Sequence, residues 1–178
     1  EEIDINNPNN KLNNGSFMVD EIIDQSKELI KFIQNKTLVG FNNKSYDDVI
    51  LETIAKSKNT FKDLTLELKK LSNNIIDSSG RRSFAKLPWG TDTIDLYTLN
   101  RLDKIYKGLK QIGSEMFCDI EELPIPHDKT LTEEEKKIIY DYCGNDIIIT
   151  RKLFVKSIPE LQLRYKAIEK YGLWKFVT

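Results

Sequence analysis

From Asp20 onward, Ile22, Ile23, Leu29, Ile30 and Ile33 recur at helical spacing and predict a helix to about Asn35 with one apolar face. Thr37-Leu38-Val39-Gly40-Phe41 then forms a short β-branched apolar run, the pattern of a buried strand that ends in polar residues. Val49, Ile50, Ile54 and Ala55 predict a second helix over Tyr46 to Lys56, and Leu64, Leu68 and Leu71 a third from Phe61 to Leu71. Asn73 to Gly90 holds Ser78-Ser79-Gly80, Arg81-Arg82 and Pro88-Trp89-Gly90, so it reads as a loop or hairpin insertion. Thr93 to Tyr97 is a strand end, Gly108 to Met116 a short helix, and Pro124-Ile125-Pro126 an extended connector.

Thr132 and Glu135 make a capping box that opens a long helix to about Phe154. After Ser157-Ile158-Pro159, a last helical segment carries Leu161, Leu163, Ile168 and Leu173. At the other end, Glu1 to Asn6 reads as a short strand turning at Asn7-Pro8-Asn9-Asn10, with Ser16 to Val19 as a returning strand. Helices alternating with short strands give an α/β fold.

The 178 residues suffice for one substantial core, and 39% hydrophobic with 31% charged residues matches an ordinary soluble domain. No apolar run is long enough to span a bilayer, so no membrane partner is expected. The two cysteines, Cys118 and Cys143, make no CxxC pair, and a reducing, cytoplasmic home fits them. A net charge of −1 does not by itself announce a nucleic-acid binder.

Two places carry candidate chemistry. Asp47 follows the apolar strand at the start of a helix, where it serves as a helix cap as readily as a metal ligand. Tyr142-Cys143-Gly144-Asn145-Asp146 lies inside the long helix, and its i, i+4 spacing puts the phenol and the carboxylate on one face. Phosphodiester hydrolysis by two metal ions needs carboxylates converging on one point, because hard divalent cations take oxygen ligands. Arg81, Arg82 and Lys86 are candidates for neutralising phosphates, with a solvated loop as the plainer reading. Phe84 and Trp89 suit either base stacking or packing, and His127 reads as a turn residue.

The block Leu38-Val39-Gly40-Phe41-Asn42-Asn43-Lys44-Ser45-Tyr46-Asp47-Asp48-Val49-Ile50-Leu51 resembles the second motif of the DEDDy 3′–5′ exonucleases, particularly those of phage DNA polymerases. Tyr142 to Ile147 resembles the third motif. Ile94-Asp95-Leu96, Gly108-Leu109-Lys110-Gln111, Leu123-Pro124-Ile125-Pro126 and Leu131 to Glu135 fall between them in the order of that subgroup. The resemblance covers most of the chain. It implies a ribonuclease-H-like mixed sheet flanked by helices, with residues 1–157 as the exonuclease-like domain. Residues 158–178 would be a C-terminal helical segment opening a polymerase part.

By the same resemblance, Asp47 and Asp146 bind metal, Tyr142 orients the attacking water, and Asn42 and Tyr46 support the site or the substrate. The cofactor implied is Mg²⁺ or Mn²⁺ at a two-metal site, and the partner is a single-stranded DNA 3′ end, with a polymerase domain alongside. The family's first motif, Asp-x-Glu, has no clear copy. Asp4 in Ile3-Asp4-Ile5-Asn6 is the nearest match and the candidate metal ligand, with Asn6 in place of the glutamate. The expected activity is therefore proofreading hydrolysis of DNA 3′ ends. Its alternatives are an inactive exonuclease-like domain that binds nucleic acid or braces a polymerase, and a phage protein-interaction domain.

Overall fold

Thr37–Gly40 (β3) and Asp92–Asp95 (β4) pair in parallel, with Thr37 opposite Asp92 and Gly40 opposite Asp95. Parallel strands need a crossover. Here it runs through a 3-10 turn at Asn43–Ser45 and two helices, α2 (Asp47–Lys56) and α3 (Phe61–Asp77). In this computed structural model the described residues are 2–4, 7–13, 16–17, 24–57, 61–77, 85–87, 90–100, 106–126 and 131–172, without the side chains of 2–13 and 61–62. Their architecture is mixed α/β and mostly helical. The chain divides into two compact units, Glu1–Asp95 and Leu96–Thr178.

In the first unit, Glu2–Asp4 (β1) and Asn7–Asn13 (β2) form an antiparallel pair with irregular register. Asn7 to Asn10, expected as a turn, are thus strand: the ladder to β1 satisfies backbone groups that local propensity would have left to a turn. Ser16 and Phe17 are irregular rather than strand, and 18–19 lie outside the described residues. Helix α1 (Ser26–Ile33) starts later than Asp20, with 20–23 also outside them.

Behind α1, Asn35 turns the chain in the left-handed region (φ 55°), and the Thr91 hydroxyl donates to the Ile33 carbonyl at 3.0 Å. These bonds aim β3 and β4 side by side. Among the described residues of this unit, Ile33, Val49, Leu64 and Ile94 are the buried apolar ones. Each such burial contributes about 1.5–3 kcal/mol. Helix α3 runs on to Asp77, past the expected stop at Leu71, because Ile75 continues the stripe of Leu64, Leu68 and Leu71.

In the second unit, Leu96–Leu99 form a short helix (α4), so the expected strand stops at Asp95. Leu109–Glu115 (α5) and Glu133–Tyr171 (α6) follow. Helix α6 opens on the expected capping box: Glu135 N–H donates to Thr132 Oγ1 at 3.3 Å and Thr132 N–H to Glu135 Oε2 at 3.0 Å. It ends at Gly172, whose φ of 67° is the usual left-handed stop.

Between those ends α6 is unbroken, and the expected interruption at Ser157-Ile158-Pro159 does not occur. Pro159 removes one helical hydrogen bond. Leu153, Phe154, Ser157, Leu161 and Ile168 are buried on both sides of it, and this continuous face outweighs the local penalty. Ser157 is satisfied there, donating to the Leu153 carbonyl at 2.8 Å and accepting from Asn100 Nδ2 at 3.1 Å. No described helix is long and apolar enough to cross a membrane.

Gly40 leaves no room for a side chain: a Cβ there would stand 2.7 Å from Asn43 Cβ and 2.8 Å from its Cγ. Gly40→Ala is expected to push the 3-10 turn off the end of β3 and destabilise the chain by roughly 1–3 kcal/mol. Urea denaturation measures this; an unchanged midpoint would show that the turn moves freely.

Candidate active site

One cluster of candidate residues is built where β3 and β4 end. Gly40 and Asp95 face each other there, and the chain leaves β3 through Asn42 in the left-handed region (φ 59°). That conformation turns the Asn42 amide onto Asp95, donating to its Oδ1 at 2.8 Å. Asp95 is only 2% exposed. Asn43, 3% exposed, reaches back with its Nδ2 to Asp48 Oδ1 at 3.1 Å and to the Thr93 hydroxyl. Its Oδ1 is buried without a hydrogen-bond partner.

Asp47 and Asp48 open α2, where the positive end of the helix dipole favours carboxylates. The environment opposes that preference. The Asp47 carboxyl is pushed up to about 6, first by the protein around it and then by the Asp48 and Asp95 charges, against a hydrogen bond from its own backbone N–H. Asp47 keeps an exposed side as a residue, so water screens these charges and limits the energy involved. Burial also raises Asp48, as does the Asp95 charge, while hydrogen bonds from Asn43 and Thr93 and the Lys44 charge pull it down. Tyr46 points elsewhere: its hydroxyl shares a 2.7 Å hydrogen bond with Ser72 of α3.

A separate cluster, in the second unit, lies on α6. Tyr142 and Asp146 are one turn apart on one face of the helix, and the phenol is close enough to pull the Asp146 carboxyl down. Lys110 of α5 joins them: its ammonium lies 5.0 Å from the Tyr142 ring centroid and pairs with Glu122 at 2.7 Å. Burial raises the Asp146 carboxyl above its usual range; the Lys110 charge and the Tyr142 hydroxyl oppose that, and the Glu122 charge adds to it.

Of the residues singled out from sequence, Asn42, Tyr46 and Asp47 thus share one turn, and Tyr142 and Asp146 share one helix face. Asp4 ends β1, with its side chain outside what is described. Arg81, Arg82, Phe84, Trp89 and His127 lie outside the described residues, and Lys86 is exposed. Asn43, Asp48, Asp95, Lys110 and Glu122 were not singled out. Asp95 carried a signal, a carboxylate closing an apolar strand. Asp48 resembles any acidic residue of a first helical turn, and nothing local links Lys110 to Glu122.

Asp47 and Asp48, with the Asp95 charge near both, suit a hard divalent cation in donor type and charge. Among the described residues, no three His, Cys, Asp or Glu side chains form a set able to hold a metal ion.

A raised carboxyl means that the folded chain binds its proton more tightly than the unfolded chain. The Asp47 contribution to stability is therefore full below the ordinary value of 3.8 and is lost as pH rises through about 6. Asp47→Asn is expected to melt above the wild type at pH 7.5 and level with it near pH 4, in thermal scans across that range. A wild type more stable than the variant at pH 7.5 would contradict the sign.

Comparison with protein-family models, curated proteins and solved structures gives no match to this chain.

Proposed function

We propose that the chain is a metal-dependent 3′–5′ exonuclease domain of the kind carried by phage DNA polymerases, hydrolysing nucleotides from single-stranded DNA 3′ ends. The ribonuclease-H-like arrangement of its sheet is part of this proposal. The observation that carries it is the crowding of the Asp47, Asp48 and Asp95 charges where two parallel strands end. Ligands of α/β sheets bind at the carboxyl ends of strands, and carboxylates raised by burial and a neighbouring charge, as Asp47 and Asp48 are, mark places where a ligand can supply missing positive charge.

Asp47 and Asp146 are the residues that would hold Mg²⁺ or Mn²⁺, with Asp4 as the remnant of the first motif. When bound, such an ion supplies Lewis acidity and a more acidic water. The chain's own part is positional. Tyr142, one helical turn from Asp146 and with the Lys110 ammonium over its ring, presents a phenol that can orient a water molecule beside the phosphodiester. The Asn42 amide and Asn43 fix Asp95 and Asp48, so that the turn carrying Asp47 keeps its shape.

A second reading is a domain that grips DNA or braces a polymerase without cutting. Asn6, in place of the glutamate of the family's first motif, favours it. Digestion of a 3′-tailed, end-labelled DNA in Mg²⁺ or Mn²⁺ separates the two. Stepwise shortening is expected, and Asp146→Ala is expected to slow it by at least about a hundredfold. Retained DNA binding with no shortening by the wild type would leave only the gripping or bracing role.

A further inference from the structure

Helix α6 buries one face, through Ile149, Leu153, Leu161 and Ile168, and leaves apolar surface bare on another. Tyr140, Ile147, Ile148 and Tyr165 are 57%, 49%, 50% and 48% exposed. Positions 137, 141, 144, 148, 151, 155, 158, 162, 165 and 169 recur at alternating steps of four and three, so they form one seam along the helix, with Tyr140 and Ile147 at its edge. Val155 and Ile158, in the middle of that seam, are partly exposed. Charged residues stand towards its ends: Lys137 and Asp141 at one, Lys166 and Glu169 at the other, all exposed. Tyr142 and Asp146 lie off the seam.

Reversed, the seam matches itself. With Lys137 set against Glu169 of an antiparallel copy, Asp141 falls opposite the Tyr165 phenol, Gly144 opposite Gln162, Ile148 opposite Ile158 and Arg151 opposite Val155. At the edge, Tyr140 falls opposite Lys166, an ammonium against an aromatic ring. Gly144 leaves room for the longer Gln162, since a Cβ there would meet nothing within 4 Å. Opposite charges meet, like charges do not, and twofold symmetry makes each layer occur twice. Two copies side by side in parallel register would instead set Lys137 on Lys137, Asp141 on Asp141 and Arg151 on Arg151, which like-charge repulsion opposes.

We propose that this face is covered by a second copy of the chain, whose α6 runs antiparallel in the register that pairs Lys137 with Glu169. The inference is independent of the exonuclease reading. An interface between two identical copies needs a surface complementary to its own reverse, and the charges and apolar positions of this seam meet that requirement. Isoleucines near the middle and charges towards the ends also follow the usual division of an interface into apolar core and polar rim.

The test is sedimentation equilibrium of the full chain across a concentration series, with circular dichroism of each variant to check its helix content. The wild type is expected to sediment as a dimer that dissociates on dilution. Ile148→Asp, at a half-exposed position, is expected to weaken association at least about a hundredfold, because symmetry puts the carboxylate into two apolar layers. Lys137→Glu and Glu169→Lys are each expected to weaken it about tenfold, and the double variant to associate like the wild type. That restoration is beyond a purely structural effect of either change. A wild type that stays monomeric at every concentration overturns the proposal and leaves the face to another partner, such as a polymerase part. Unchanged association in Ile148→Asp places the contact elsewhere and also overturns it. A double variant no tighter than the single ones overturns the antiparallel register.

Discussion

The parallel register that sets Gly40 opposite Asp95 is the constraint on which the acidic end of the first unit depends. It brings the last residue of β3 beside a buried carboxylate. The Asn42 amide meets that carboxylate, and meeting it fixes Asn42 in the left-handed region. With Asn42 fixed, the 3-10 turn places Asn43 flat over Gly40, where its amide spans Thr93 of β4 and Asp48 of α2. One register therefore sets the strand end, the turn and the first turn of the following helix.

Burying two carboxylates beside a third is unfavourable, and the unit offsets only part of that. Asp95 has the Asn42 amide, and Asp48 has Asn43 and Thr93, yet Asp47 and Asp48 remain above their usual range. Asn43 also leaves its own buried oxygen unbonded, because its nitrogen must face the acceptors. A structure evolved for stability alone would place neutral side chains here. Strain and unmet charge concentrated at the end of a parallel pair are what a binding site accepts in exchange for a ready-made electrostatic environment.

The second unit solves a different problem, holding a tyrosine and an aspartate in fixed relation. Helical spacing does most of it, since residues four apart share a face. Lys110 completes the arrangement, its charge opposing the burial that raises the Asp146 carboxyl. The length of α6 follows from its buried face rather than from local preference. A proline that would end an isolated helix is carried by the apolar residues on either side of it.

Much was legible in the sequence because it is local. The spacing of Val49 with Ile50 and of Leu64 with Leu68, the apolar run before Gly40, and the Thr132–Glu135 box each fix a backbone preference within a few residues. The i, i+4 placement of Tyr142 and Asp146 needs nothing more than a helix. The rest depended on groups far apart in the chain: Asn43 on Thr93, Asn42 on Asp95, Lys110 on Glu122 and Tyr142. The continuation of α6 past Pro159 and the strand at Asn7–Asn13 belong with these, since a packed face and a ladder partner overrode local propensity. Short-range order is written in side-chain type and spacing. Which buried charges face one another is decided only when tertiary packing removes the water that would have screened them.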